Sequence, residues 1–277
     1  MELPGGIRIN GELKRSFRFK PVTGDLEIAL REIASGGGTT PARITAVLSE
    51  ALAELGDQAV SASRVRKLSV GDRQYLMGRL TVHFDDRPVW LTAECGQCHE
   101  LFDVSLKFAE LPVKPAGEDF PETTVVTEHG RLRIRVPTGA DQEAIASIDD
   151  ETEALTLLLQ RLVSAVEPSR VFDVAQLNEN DIAVIETRVE AMAPETATHL
   201  LTHCPSCATE NQLPIAHYAS LKGLSEDLYA EIHRLAISYH WSESEILALT
   251  RARRQIYLQL IDQSRGMQTR QTTIEAG

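Results

Sequence analysis

Two C-x-x-C knuckles organise this sequence: Cys95-Gly96-Gln97-Cys98 and Cys204-Pro205-Ser206-Cys207. Each knuckle follows a short apolar run and precedes another, which places it between two predicted strands. Four thiolates from two such knuckles form a closed tetrahedral site, the usual arrangement around a structural zinc ion. Because a closed site has no open position, we expect the zinc to support folding and not catalysis.

The separation of the two knuckles is unusual. Residues 99–203, 105 in number, lie between Cys98 and Cys204, against about 15 to 20 residues in a compact zinc ribbon. Three other interpretations stay open: two separate metal sites completed by donors such as His99 and His203, a redox dithiol at the second knuckle, or knuckles that hold no metal. We favour one shared zinc, because each knuckle supplies half of a coordination sphere and no helix follows Cys207 to lower a thiol pKa.

One local departure concerns the residue after each second cysteine. Glycine is common at this position of a zinc knuckle, because it lets the backbone N–H groups turn toward sulfur. Here the two positions are His99 and Ala208. We therefore expect slight backbone strain in both knuckles.

The composition is that of a globular protein with an acidic surface. Of the 277 residues 43% are hydrophobic and 25% are charged, which excludes a disordered or fibrous chain. The 40 acidic residues outnumber the 28 lysines and arginines, so the chain has a net charge of −12 and repels phosphate backbones and anionic lipid overall. No apolar stretch approaches the roughly 18 residues of a membrane span, and no apolar segment follows the basic residues of Met1–Lys20. We expect a cytoplasmic protein without a membrane partner.

Hydrophobic periodicity predicts an α+β fold with a mostly helical N-terminal part. Its predicted elements are an edge strand over residues 14–24 that Gly24 ends, and helices over Asp25–Ile33, from Pro41 to a stop at Gly56, and over Gly71–Leu80. From Thr81 the period changes to two, which predicts a hairpin with strands at residues 82–84 and 89–93. That hairpin leads into the first knuckle.

We divide the chain into four regions around a zinc-ribbon-like β module. The predicted regions are residues 1–80, with a strand and helices; residues 81–112 together with 196–222, which form the module; residues 113–195, an inserted hairpin with helices; and residues 223–277, a C-terminal helical tail. We find no internal repeat apart from the two knuckles.

The insert contains two runs of like charge. Arg131, Arg133 and Arg135 alternate with apolar residues after a predicted turn at His129-Gly130, and we interpret them as the solvated face of a strand rather than a binding patch. The acidic run from Asp141 to Glu153 opens a helix, where carboxylates are favoured, so it needs no ligand.

The tail combines helix signals with positive charge. Ser242 and Glu245 form a capping box, and residues 251–270 carry five arginines against one aspartate in an otherwise acidic chain. The last helix could read DNA or dock on an acidic partner, and we favour docking because it mixes apolar residues with its arginines. The candidate partner-binding residues are Trp241, Arg251, Arg253, Arg254 and Tyr257.

No catalytic constellation stands out in the sequence. The chain has no nucleophile elbow, no His-Glu-x-x-His and no dinucleotide fingerprint. Consecutive acids such as Asp149 and Asp150 are explained by a helix start. We expect neither an enzyme nor a small-molecule substrate.

Several short motifs, in their order along the chain, resemble one family. The motifs are Phe19–Gly24 with the helix behind it, Leu68–Arg73 before a helix, hairpin and knuckle, Val136–Asp141 before a helix, the second knuckle, and Leu235–Leu249 followed by Arg253-Arg254 and Tyr257-Leu258. They resemble the T-even-like baseplate hub assembly chaperones of contractile phage tails and phage-tail-like injection systems.

This resemblance implies a non-enzymatic assembly factor or structural adaptor. Its partners would be baseplate or hub proteins of a contractile tail, and its incorporation into a phage or phage-tail-like particle stays open. The alternative from the residues alone is a zinc-ribbon DNA-binding regulator that uses the basic C-terminal helix, although the net charge does not favour nucleic acid.

Overall fold

The computed structural model describes residues 1–167, 172–215 and 227–264, and within them the predicted mixture of helices and strands is confirmed. The strands are β1 (Glu2–Ile9), β2 (Glu12–Phe19), β3 (Leu52–Leu55), β4 (Gln58–Ala59), β5 (Val89–Glu94), β6 (Leu101–Leu106), β7 (Val113–Lys114), β8 (Glu122–Thr127), β9 (Gly130–Arg135), β10 (Val163–Ala165), β11 (Glu195–Thr196), β12 (His199–His203) and β13 (Glu210–Pro214). The α-helices are α1 (Gly24–Ser35), α2 (Thr40–Ala51), α3 (Ala62–Arg66), α4 (Val70–Phe84), α5 (Gly139–Ile145), α6 (Glu151–Leu162), α7 (Glu179–Met192), α8 (Leu228–Tyr239), α9 (Glu243–Leu247) and α10 (Arg251–Ser264).

The N-terminal sheet has the strand order β1-β2-β3-β4. Its strand β2 pairs with β1 on one side and with β3 on the other, so the prediction of an edge strand over residues 14–24 is wrong. Gly24 does not end a strand but begins α1, because the side chain of Thr23 caps the helix by accepting from Leu26 N. Helices α1, α2 and α4 cover the sheet, and the apolar core between them includes Phe17 and Phe19 of β2, Leu48 of α2 and Leu76 of α4.

Two predicted boundaries move because tertiary pairing outweighs local periodicity. Helix α2 ends at Ala51 and not at Gly56, since Leu52–Leu55 becomes β3 and pairs with β2. Helix α4 continues through Phe84, where a strand was predicted, because Leu76, Leu80 and Phe84 recur at helical spacing and are all buried. The predicted hairpin over residues 82–93 is therefore wrong, and β5 instead pairs with β6 across the first knuckle.

The insert contains the predicted hairpin about His129-Gly130, formed by β8 and β9, with β10 added beside β9. Helices α6 and α7 contribute to a second apolar cluster around these strands, which includes Leu132, Ile134, Leu162 and Ile185. This cluster is separate from the N-terminal core.

A buried carboxylate anchors the start of α5. Asp141 forms a capping box with Thr138 and accepts hydrogen bonds from Arg135 Nη1 at 2.6 Å and Arg161 Nε at 2.7 Å. Burial alone raises the pKa of Asp141, but the hydrogen bonds from Arg135 and Thr138 outweigh it and hold the pKa well below its usual range. Arg135 therefore differs from the solvated role expected of it, because it forms an ion pair with a fully buried group.

Asp141→Asn should lower the free energy of unfolding at pH 7 by about 2 to 4 kcal/mol, because the amide keeps the shape but loses the charge that pairs with two arginines. The folded-state pKa lies below the unfolded value of about 3.9, so the carboxylate stabilises the fold above pH 4 and loses this effect as the pH falls through the folded pKa. Urea denaturation should therefore show a smaller difference between the two proteins at pH 3 than at pH 7.

The control for this experiment is Asp150→Asn at the exposed N-cap of α6. Asparagine caps as well as aspartate, so this variant should unfold like the wild type at pH 7. An equal loss for Asp141→Asn at both pH values would contradict the role of its charge.

The structure reveals an internal repeat that the sequence analysis missed. Residues 61–80 and 242–261 fold alike: a serine caps a five-residue helix, a short turn follows, and a second helix begins after an isolated β-bridge. With an offset of 181 residues, five of the twenty positions are identical. The identical pairs are Ser61 and Ser242, Ser63 and Ser244, Leu68 and Leu249, Arg73 and Arg254, and Gln74 and Gln255.

Each copy of the repeat contacts the same kind of segment from elsewhere in the chain. The bridge residue Ser69 of the N-terminal copy pairs with Thr138 at the start of α5, and Thr250 of the C-terminal copy pairs with Thr23 at the start of α1. In each case the threonine precedes a buried glycine and caps a helix. A helix that begins with Thr-Gly therefore packs against each copy of the helix-turn-helix repeat.

Candidate metal centre and C-terminal helical unit

Each knuckle is the turn of an antiparallel hairpin, β5 with β6 and β12 with β13. The two turns have the same backbone hydrogen bonds. Cys95 N donates to Glu100 O at 3.0 Å and His99 N to Cys95 O at 3.0 Å, while the second knuckle repeats these bonds from Cys204 N and Ala208 N at 2.9 Å. The alternating apolar and polar residues on either side of each C-x-x-C specify the two strands, and the knuckle forms the turn that connects them.

The structure brings the four cysteines of the two distant knuckles together. Cys95 Sγ lies 3.6 Å from Cys207 Sγ, and Cys98 Sγ lies 3.7 Å from Cys204 Sγ. All four sulfur atoms lie within 4.8 Å of one another, and none forms a disulfide. Zinc–sulfur bonds of about 2.3 Å in a tetrahedron require sulfur–sulfur distances of about 3.8 Å. The arrangement is thus compatible with a structural zinc site.

The electrostatics of the cluster also suit a cation. Backbone N–H groups of Cys98 and Gln97 lower the pKa of the Cys95 thiol to about 6. The N–H of Glu100 lowers the pKa of Cys98, but desolvation and the other thiols outweigh it and raise that pKa to about 12. Neighbouring thiolates repel one another, so the cluster ionises fully only when a cation compensates the charge.

Asn211 links the two knuckles and was missed in the sequence analysis. Its Oδ1 accepts from Gly96 N at 3.0 Å, and its Nδ2 lies 3.7 Å from Cys95 Sγ as a donor. A side chain from β13 thus orients the first knuckle and donates to one of its sulfur atoms. Outer-shell groups of this kind orient the ligands of a metal. Only the position of Asn211, soon after Cys207, could have suggested this role.

The residue after each second cysteine adopts the left-handed conformation that favours glycine. The φ angles are 60° at His99 and 59° at Ala208. A side chain in this conformation costs about 1 to 2 kcal/mol. His99 also places its Nδ1 2.9 Å from Glu94 Oε1, away from the sulfur cluster.

Ala208→Gly should stabilise the protein by about 0.5 to 1 kcal/mol, because glycine adopts a positive φ without a clash although its unfolded chain is more flexible. Thermal denaturation would measure the gain. The matched control is Ala193→Gly at an ordinary φ of −71°, which should lower the stability. A variant Ala208→Gly that melts below the wild type would contradict the strain in this knuckle.

The predicted partner-binding residues of the tail take different positions. Arg254 is fully buried, where its Nε donates to Glu231 at 3.0 Å and its Nη2 pairs with Glu27 of α1. Arg251 also pairs with Glu27, at 3.3 Å. These two arginines hold the C-terminal helices against α1 within the chain.

The aromatic candidates pack on one another. Trp241 stacks on Tyr239 with ring centroids 4.8 Å apart and meets Tyr257 edge to face at 4.9 Å. All three contact the apolar cluster of helices α8 to α10. Their first role is thus in the core of this C-terminal helical unit, residues 227–264.

Exposed residues on the last helix include two that the sequence analysis did not select. Arg253 is exposed, and Ile256 and Leu260 leave 55% and 47% of their surface accessible. They lie at helical spacing i, i+3 and i+7, so they share one face, which we call the outer face of α10. Arg265 and Arg270, part of the predicted basic tail, lie outside the described residues.

Comparison with known protein families identifies the family of this chain. The family model of the T4 bacteriophage base plate protein matches residues 7–221, which include both knuckles and the N-terminal copy of the repeat. No curated protein and no solved structure matches the chain. Among the described helices, none is long and apolar enough to cross a membrane. Because the match covers more than half of the residues, the chain belongs to the T4 bacteriophage base plate protein family.

Proposed function

We propose that this protein is a non-enzymatic assembly factor or structural adaptor for the baseplate hub of a contractile phage tail or tail-like injection system. The observation that carries the proposal is the family match over residues 7–221. The order of the short motifs supports the narrower role of hub assembly. The protein acts by binding other baseplate proteins and takes no small-molecule substrate.

The buried carboxylates form structural hydrogen bonds and ion pairs, which supports a role without catalysis. Glu27, Asp72 and Asp141 are buried carboxylates, and each accepts hydrogen bonds or ion pairs that hold elements of the fold together. A cleft of about 670 Å³ lies between the N-terminal part and the C-terminal helical unit. Its Asp85 pairs with Arg87, and its His83 contacts Lys20 O at 2.9 Å. These groups are already committed to structural contacts.

We also propose that the four cysteines bind one structural zinc ion. In the part of the chain that the structure describes, the hairpins that carry them share a small apolar cluster, which consists of Ala93, Phe102, two buried cysteines and a few partly buried neighbours. An isolated two-stranded hairpin is marginally stable in water. The zinc would supply the link that this small cluster cannot, and it would join residues 89–106 to residues 199–214.

Metal analysis of the purified full chain should give one zinc per chain, with four sulfur ligands at about 2.3 Å by X-ray absorption. Zinc binding to such sites releases about 10 to 16 kcal/mol at neutral pH, which matches or exceeds the whole stability of a typical domain. Chelation or Cys204→Ser should therefore expose the region to proteases, including residues 112–121 beyond the first hairpin. Asn211→Ala should keep the zinc but weaken its affinity about tenfold.

The outcome that would contradict a shared ion is specific. A Cys95→Ser, Cys98→Ser double variant that retains its full zinc content would show that the knuckles do not share the metal. Two zincs per chain would have the same meaning.

The assembly role is tested in cells that produce the tail. A tagged full chain should co-purify with baseplate hub proteins identified by mass spectrometry, and a strain without it should accumulate incomplete baseplates. Full-length protein that binds duplex DNA at physiological salt, with a steep salt dependence and no baseplate protein attached, would overturn the proposal in favour of DNA binding.

A further inference from the structure

The internal repeat shows what covers the face of α4 that corresponds to the outer face of α10. With the offset of 181 residues, Arg253, Ile256 and Leu260 correspond to Asp72, Tyr75 and Arg79 on α4. The C-terminal face is exposed, whereas its N-terminal counterpart is covered. Among the described residues, the same backbone framework is thus covered on this face in one copy and exposed in the other.

The antiparallel pair β1–β2, at one edge of the four-stranded N-terminal sheet, covers the N-terminal copy. Asp72 accepts hydrogen bonds from Gly5 N at 2.8 Å and Gly6 N at 3.1 Å, both on β1. Tyr75 meets Phe17 of β2 edge to face, with ring centroids 6.2 Å apart. One strand therefore contacts the polar position, and an aromatic side chain of the other strand covers the apolar position.

Another antiparallel pair, the two-stranded β5–β6 ribbon, exposes one face in the described part of the chain. The outer side of the β5–β6 hairpin presents Trp90 and Leu101, which leave 70% and 69% of their surface accessible. Glu94 and Asp103 are exposed on the same side, where Glu94 pairs with His99 and Asp103 accepts from Thr92. An exposed tryptophan beside acidic groups is typical of an interface, because tryptophan is enriched among the residues that dominate binding energies.

We propose that the β5–β6 ribbon of one copy packs on the outer face of α10 of a second copy. Trp90 and Leu101 cover Ile256 and Leu260, and the carboxylates approach Arg253. This inference rests on the proposed function and deepens it, because it names what the outer face of α10 contacts during assembly. The two surfaces differ, so the association is head to tail and builds a ring or an open chain.

The other knuckle hairpin does not fit this role. The outer side of β12–β13 exposes Leu201 between two histidines and carries no aromatic side chain other than imidazole. It therefore offers a control on an antiparallel ribbon that also carries a C-x-x-C knuckle at its turn.

Sedimentation velocity of the full chain tests the proposal, over a concentration series at about 150 mM salt, where charge repulsion is screened beyond about 8 Å. The wild type should form species larger than a dimer as its concentration rises. Trp90→Glu and Leu260→Glu should each stay monomeric, and an equimolar mixture of the two should form dimers and nothing larger, because each variant keeps one intact face. Leu201→Glu should associate like the wild type.

Three results would overturn the proposal: a wild type that stays monomeric throughout the series, variants that associate like the wild type, or a mixture that forms no dimer. Circular dichroism checks the fold of each variant, and if Leu260→Glu unfolds, Ile256→Ala serves instead and should weaken association by about tenfold. A monomeric wild type that still co-purifies with baseplate hub proteins would refute self-association and leave the proposed function intact.

Discussion

The convergence of four cysteine sulfur atoms is the constraint on which the middle of this fold depends. The two hairpins that supply them share a small apolar cluster, so burial of hydrophobic surface contributes little to their contact. Asn211 adds a polar link from β13 to the first knuckle. Since clustered thiolates repel one another, the arrangement is most stable when a cation lies among them. If the proposed zinc ion binds there, its binding and the folding of this region are one process.

A second constraint is the docking of a Thr-Gly helix start onto each copy of the helix-turn-helix repeat. A Cβ atom on Gly24 would lie 2.6 Å from Leu247 Cδ2, and one on Gly139 would clash with the guanidinium of the fully buried Arg73, so a larger residue would disturb the packing at either site. The two docked starts are distant in sequence, at residues 23 and 138, and so are the turns that receive them. The repeat therefore connects α5 of the insert and the C-terminal helical unit to the N-terminal part.

Helix α10 divides its side chains between these internal contacts and the surface. Arg254, Leu258 and Ile261 face inward, where Arg254 joins the buried carboxylates of Glu27 and Glu231. Arg253 and its exposed apolar neighbours face outward. The family match ends at residue 221, before this unit. The matched part of the chain thus holds the knuckles, and the C-terminal unit adds a further face for contacts.

Local chemistry in the sequence was enough to identify the two knuckles, the hairpin at His129-Gly130 and the capping box at Ser242, because each depends on residues within a few positions of one another. The repeat could also have been recognised in the sequence, although only five positions are identical. Both copies contain Ser-x-Ser, then Leu, then Ser or Thr, and then Arg-Gln, all at the same spacing. Tertiary structure alone decided that Leu52–Leu55 is a strand, that α4 continues to Phe84, and that Arg254 is buried while Arg253 is exposed. These outcomes depend on partners far away in the chain, and the periodicity of a segment carries no information about which partner will supply its hydrogen bonds or cover its charge.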